Sequence, residues 1–157
     1  MDYLDIEKII LEDDQRGMTS IYEKINKGYL ERSVDLILEN KGLVFISTGF
    51  YIFSAQSSET DGPPGAIALG ETLEKLGFEV MYVTDKFSKN IISGMSSEEK
   101  VIDFPITSHT ESSKVANDLI KDYDPKSIIA IERAGLSSDG KYKNCKGLDF
   151  SKYNAKV

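Results

Sequence analysis

The sequence is short of the materials that several familiar kinds of protein require. Its 157 residues include one cysteine, Cys145, and one histidine, His109. A single cysteine excludes an internal disulfide framework and any multi-cysteine zinc site. Apolar runs such as Leu43-Val44-Phe45-Ile46 are too short to span a bilayer as a helix. Basic residues are also in deficit. Lys and Arg number 19 against 26 Asp and Glu, a net charge of −7, which argues against general binding to nucleic acid or to an anionic membrane. The start, Met1-Asp2-Tyr3-Leu4-Asp5, lacks the positive-then-apolar order of a secretion signal, so a cytoplasmic setting is expected. Internal repeats, low-complexity tracts, a Walker loop, a nucleophile elbow and a Gly-x-Gly-x-x-Gly signature are all absent.

What is present has an ordinary globular composition, 40% hydrophobic and 29% charged, in a length suited to one domain. The chain divides by pattern near residue 41. Before it, Leu4, Ile6, Ile9, Ile10 and Leu11 recur at near-helical spacing. After the break Asp13-Asp14-Gln15-Arg16-Gly17, a second helical segment carries Ile21, Ile25, Tyr29, Leu30, Val34 and Ile37, with Gly28 set to weaken or divide it. From Leu43 apolar strands alternate with helices: Leu43–Ser47, then a helix over Ala66–Leu76, Phe78–Val83, a short helix within Phe87–Met95, and Val101–Ile106, where Pro105 suits an edge. Ser108-His109-Thr110-Glu111 has capping-box spacing before a further helix, and Ser127–Ile131 is the last strand. Hairpin dipeptides are missing between neighbouring strands. The expected fold is a three-layer, Rossmann-like α/β domain, a mostly parallel sheet with helices on both faces, preceded by N-terminal helices over residues 1–41.

In such sheets ligands collect at the carboxyl ends of the strands. There the sequence has Thr48-Gly49, then Glu59-Thr60-Asp61-Gly62-Pro63-Pro64-Gly65, then Thr84-Asp85, and finally Glu132-Arg133 with Asp139-Gly140-Lys141. Pro63 reads as extended and Pro64 as the first helical residue. The amides opening that helix would favour an anion. Glu59 and Asp61 at its lip can be a solvated residue and a helix cap, or ligands to Mg²⁺ or Mn²⁺. Glu132 can pair with Arg133, or join Asp85 and Asp139 as a further oxygen ligand. His109 reads as an exposed helix-start residue, Cys145 as a small, partly buried one, and Phe50, Tyr51 and Phe53 as core or rim packing.

These strand-end motifs, together with Ala66, Ala68-Leu69-Gly70 and Tyr142-Lys143-Asn144, resemble the domain found at the carboxyl-terminal end of D-glutamate cyclase and in stand-alone microbial proteins. The resemblance covers about residues 43–147. It implies an α/β domain acting as a lyase that interconverts D-glutamate and 5-oxo-D-proline. A manganese- or magnesium-dependent phosphatase acting on a phosphate ester, and a non-catalytic ligand-binding module, are the alternatives. The family continues past this point into a glycine-rich segment with another acid pair, whereas this chain stops at Val157. A shortened, split or inactive form is therefore expected, completed by a second copy or another chain. On this reading Asp61, Glu132 and Arg133 are catalytic, and Glu59, Asp61, Asp85, Glu132 and Asp139 hold a divalent cation. Thr48, Gly49, Gly62, Gly65, Ala66 and Lys141 bind a small anionic substrate.

Overall fold

Pattern changes in the chain become element boundaries in the computed structural model, which describes residues 3–157, with side chains from residue 5. Met1, Asp2 and the side chain of Leu4 thus lie outside the described residues. Two compact units form, Met1–Lys41 and Gly42–Val157, and the boundary in the chain falls where the sequence turns from helical to strand-like.

In the first unit, α1 (Tyr3–Ile10), α2 (Met18–Tyr22) and α3 (Tyr29–Glu39) are separated by residues in left-handed conformation: Asp13 at φ 56°, Gly17 at φ 74° and Gly28 at φ 72°. Of the two effects expected of Gly28, division is the one seen: it stands at the N-cap of α3 and separates that helix from α2. The Glu7 side chain is buried and accepts a hydrogen bond from Tyr22 Oη at 2.9 Å, which raises the tyrosine's pKa.

The second unit carries a four-stranded sheet in the order β5-β4-β1-β6, made of β1 (Leu43–Gly49), β4 (Glu79–Thr84), β5 (Val101–Asp103) and β6 (Ser127–Arg133), all parallel. A two-stranded antiparallel ribbon, β2 (Tyr51–Ile52) with β3 (Ser57–Ser58), follows β1 and has no counterpart in the sequence reading. Central β1 is buried on both faces. Its Phe45 packs with Val83, Phe104 and Ala155 beneath Val115, Ala116 and Leu119 of α6 (His109–Tyr123). The opposite face, with Tyr82, lies under α4 (Gly62–Lys75), where Gly70 is needed: a Cβ there would stand 2.1 Å from Tyr82 Oη. Full burial of side chains such as Val44 and Ile46 stabilises the sheet by about 1.5–3 kcal/mol each. Helices on both sheet faces make the three-layer α/β fold expected. A short helix, α5 (Lys89–Met95), links β4 to the edge strand β5.

Several local details differ from the expectation. Helix α4 begins at Gly62, so Pro63 is already helical; proline's fixed φ suits a first turn, whose N–H groups have no helical partner anyway. Ser108 caps α6 through its Oγ and the Glu111 amide at 3.2 Å, but the Glu111 carboxylate pairs with Lys114 at 3.0 Å instead of reaching back. Cys145 is exposed. Within residues 148–157, Phe150, Asn154 and Ala155 are buried, each 1% exposed or less. No helix among the described residues is long and apolar enough to cross a membrane.

Candidate functional site

The strand order fixes where a ligand would enter. From β1 the chain crosses through α4 to β4, and from β5 it crosses back through α6 to β6 on the far side of β1. Neighbouring β1 and β6 are therefore the switch point of the sheet, beyond whose carboxyl ends ligands of such folds bind. Thr48, Gly49, Glu132 and Arg133 end those strands, and the start of α4 lies beside them.

Glu132 has an unusual backbone. Its φ is +48°, and the β1–β6 register slips there, from Thr48↔Ile131 to Gly49↔Arg133. Left-handed conformation costs a side-chain-bearing residue about 1–2 kcal/mol, and such outliers persist where surrounding contacts enforce them. The consequence is directional. Ile131 faces α4, its Cγ2 lying 3.8 Å from where a Cβ on Gly65 would be. Regular alternation would send Glu132 to the α6 side and Arg133 to the α4 side. The bulge reverses them: Glu132 packs against Gly62, and Arg133 reaches Asp85.

On the α4 side, carboxylate oxygens of Glu59, Asp61 and Glu132 lie within 4.8 Å of one another. Glu59 is half-buried, and Asp61 and Glu132 are exposed. Glycine is required beside them, because a Cβ at Gly62 would stand 2.5 Å from Glu132 Cβ and 3.1 Å from Thr48 Oγ1. The Thr48 hydroxyl is fully buried and has no hydrogen-bond partner among the described residues. Gly62 N–H donates to Asp61 Oδ1 at 3.1 Å. Pro63 and Pro64 have no N–H, and Gly65 and Ala66 stand where the first helical bonds close. The helix start that reads in sequence as an anion cradle thus has its one terminal amide capped. Three neighbouring carboxylates are instead oxygen donors of the kind that could hold Mg²⁺ or Mn²⁺.

On the α6 side the charged groups are paired within the chain. Arg133 Nη2 pairs with Asp85 Oδ2 at 3.1 Å, each side chain 4% exposed. The same Nη2 donates to Ala155 O at 2.7 Å, Nη1 donates to Gly49 O at 3.0 Å, and Ala155 N donates to Asp85 Oδ2 at 3.1 Å. Asp85 Oδ1 also accepts from the Phe87 amide at 3.1 Å. Burial pulls the Arg133 pKa down and the Asp85 charge pulls it back up. Arg133 Nε is buried without an acceptor among the described residues. Arg133 therefore pairs with Asp85, not with its neighbour Glu132.

The structure brings Glu59, Asp61, Glu132, Thr48 and Gly62 together, and it leaves Asp85 and Asp139 outside that group. Asp139 pairs with Lys143, which lowers the aspartate's pKa. Lys141 pairs with Asp149 at 3.3 Å, and these pairs lie in the loop bridged at Leu136↔Tyr142 and Lys143↔Asp149. The His109 ring stacks beside Tyr142 at 6.2 Å, its Nε2 3.4 Å from Gly140 O. Phe50, Tyr51 and Phe53 pack with Phe87, Phe150 and Tyr153, and Tyr51 stacks on Tyr153 at 4.4 Å. Sequence reasoning missed the part of Ala155, which acts through its backbone and leaves no residue-type signal.

Comparison with known proteins bears on the family. The family model described as D-glutamate cyclase-like, C-terminal, matches residues 6–157, taking in the leading helices and the folded tail as well as the 43–147 interval. The human protein named D-glutamate cyclase, mitochondrial, is 34% identical over 129 residues, covering 73% of this chain and 21% of that protein. The chain thus spans about a fifth of the length of the curated relative it matches.

Proposed function

The chain belongs to the D-glutamate cyclase-like, C-terminal family, and from that premise we propose that it interconverts D-glutamate and 5-oxo-D-proline at the carboxyl ends of β1 and β6. The observation that carries this reading is the convergence of Glu59, Asp61 and Glu132 within 4.8 Å beside the buried Thr48 hydroxyl. Ring closure joins the substrate nitrogen to its side-chain carboxyl carbon and releases one oxygen as water. The two protons that the ammonium gives up leave on that oxygen, so the reaction needs a group that carries protons from nitrogen to oxygen. Glu132 is suited to it: a carboxylate that is exposed, at the strand end, and beside Glu59 and Asp61. Asp61 stays fixed by its bond to Gly62 N, and with Glu59 and Glu132 it would hold a divalent cation. Bound there, Mg²⁺ or Mn²⁺ would offset the carboxylate charge and polarise a carboxyl oxygen of the substrate.

The same three acids favour a second reading, metal-dependent hydrolysis of a phosphate ester, because a trio of oxygen ligands on one cation also suits a phosphoryl group. One experiment tests both. The protein is incubated with 5-oxo-D-proline, and separately with a generic phosphate ester, each with Mn²⁺ or Mg²⁺. Release of D-glutamate, lost in Glu132→Gln, is the expected result. Release of phosphate alone moves the assignment to the second reading. Turnover of neither, with metal still bound, leaves a ligand-binding module.

A further inference from the structure

We propose that Asp85 and Arg133 form a clamp for the head group of an α-amino acid, and that Ala155 of the chain's own tail occupies it as a displaceable stand-in. The inference takes its ligand from the function proposed above. The two bonds that define the clamp go to one residue: Ala155 N donates to Asp85 Oδ2 at 3.1 Å, and Ala155 O accepts from Arg133 Nη2 at 2.7 Å. In a free α-amino acid the ammonium and the carboxylate branch from a single Cα in the same way. A peptide N–H and C=O are neutral dipoles facing an anion and a cation, whereas an ionised head group would make both bonds charge-assisted and roughly twice as strong.

A second observation points to the same ligand. Arg133 Nε is buried and has no acceptor among the described residues. Nε and Nη2 share one edge of the guanidinium, and Nη2 is the nitrogen that holds Ala155 O. A peptide carbonyl offers that edge one oxygen. A carboxylate offers two and would engage it bidentately, giving the orphan donor its partner.

Ala155 is buried against Phe45, Val83 and Phe104. Of the side-chain bonds beside it, that from Asn154 Nδ2 to Ala155 O at 2.8 Å lies within the tail, and that from Lys156 Nζ to Thr107 O ties the tail to the rest of the unit. The clamp residue Arg133 directly follows Glu132, so one strand end would supply the head-group site and the proton-carrying acid. D-glutamate and 5-oxo-D-proline both keep a nitrogen and a carboxylate on one carbon, and each could replace the Ala155 backbone.

Amide hydrogen exchange at Ala155 in the full chain tests this. D-glutamate and D-alanine, which shares only the head group, should each speed Ala155 exchange at least tenfold, and glutarate, which lacks the amine, should not. The double variant N154A/K156A loosens the tail and leaves the clamp intact; it should bind D-glutamate several-fold more tightly, because the internal competitor is weakened. Unchanged Ala155 protection with both amino acids, in wild type and in the loosened variant, would overturn the clamp, as would an equal response to glutarate. Failure of the proposed reaction reads differently: Ala155 released without turnover keeps the clamp and removes the cyclase assignment. Turnover with Ala155 still protected does the reverse.

Discussion

Asp85 and Glu132 both lie at the ends of apolar strands of one sheet, yet their surroundings have almost nothing in common. Asp85 is buried and accepts from Arg133, Ala155 N and Phe87 N. Glu132 is exposed, held in a left-handed backbone and crowded by two more carboxylates. The first arrangement is stable as it stands, because each charge has a partner and the acid's oxygens are hydrogen-bonded. The second gathers three carboxylates in one place, an oxygen set that a divalent cation could bridge. Equivalent strand-end positions can thus be internally paired on one face of a sheet and crowded with like charge on the other.

Substitutions should separate the two regions by the sign as well as the size of their effect. Arg133→Ala leaves Asp85 as a buried, unpaired charge and should lower unfolding stability by about 3–5 kcal/mol in urea titration. Gly62→Ala, which places a methyl 2.5 Å from Glu132 Cβ, should lower it by about 1–3 kcal/mol and weaken Mn²⁺ binding through displacement of Glu132. The contrast comes with Glu132→Gly. Glycine relieves the backbone at φ +48° and removes a repelled charge, so stability should rise by about 1 kcal/mol while cation binding and turnover fall away. A loss of stability in Glu132→Gly comparable to that of Arg133→Ala would erase the distinction.

The smallest effect lies outside both regions. Bonds from the Ser151 hydroxyl and amide, together with Lys141, hold the Asp149 pKa down to about 2. A depressed carboxylate contributes stability that is present above its unfolded value, about 3.9, and that is lost as pH falls through about 2. An NMR titration of Asp149 should therefore show no protonation at pH 4. Protonation near pH 4 would show that the Ser151 turn is not formed.

The strand-end motifs were legible because their residue types carry the chemistry: Glu59, Asp61 and Glu132 were named from position alone, and the parallel α/β sheet followed from alternating patterns. What stayed hidden depends on backbone geometry. The reversal of Glu132 and Arg133 arises from one left-handed residue, and strand alternation read from sequence carries no mark of it. Arg133 was accordingly set beside Glu132 instead of Asp85. The tail was invisible for a related reason: Ala155 contributes an N–H and a C=O, which any residue but proline has. Capping of α4 by Asp61 was one of two readings, and the anion site it displaced depended on amides that two prolines do not possess.

The most direct test of the division between the two regions is a Mn²⁺ titration followed by paramagnetic broadening of backbone amides. Thr48, Gly62 and Glu132 should broaden at the lowest metal concentrations, before Asp139 and Asp149 in the outlying loop, and Glu132→Gln should abolish that early broadening. Broadening that begins at Asp139 and Asp149, or that is unchanged in Glu132→Gln, would contradict the assignment of the acidic trio as the cation site.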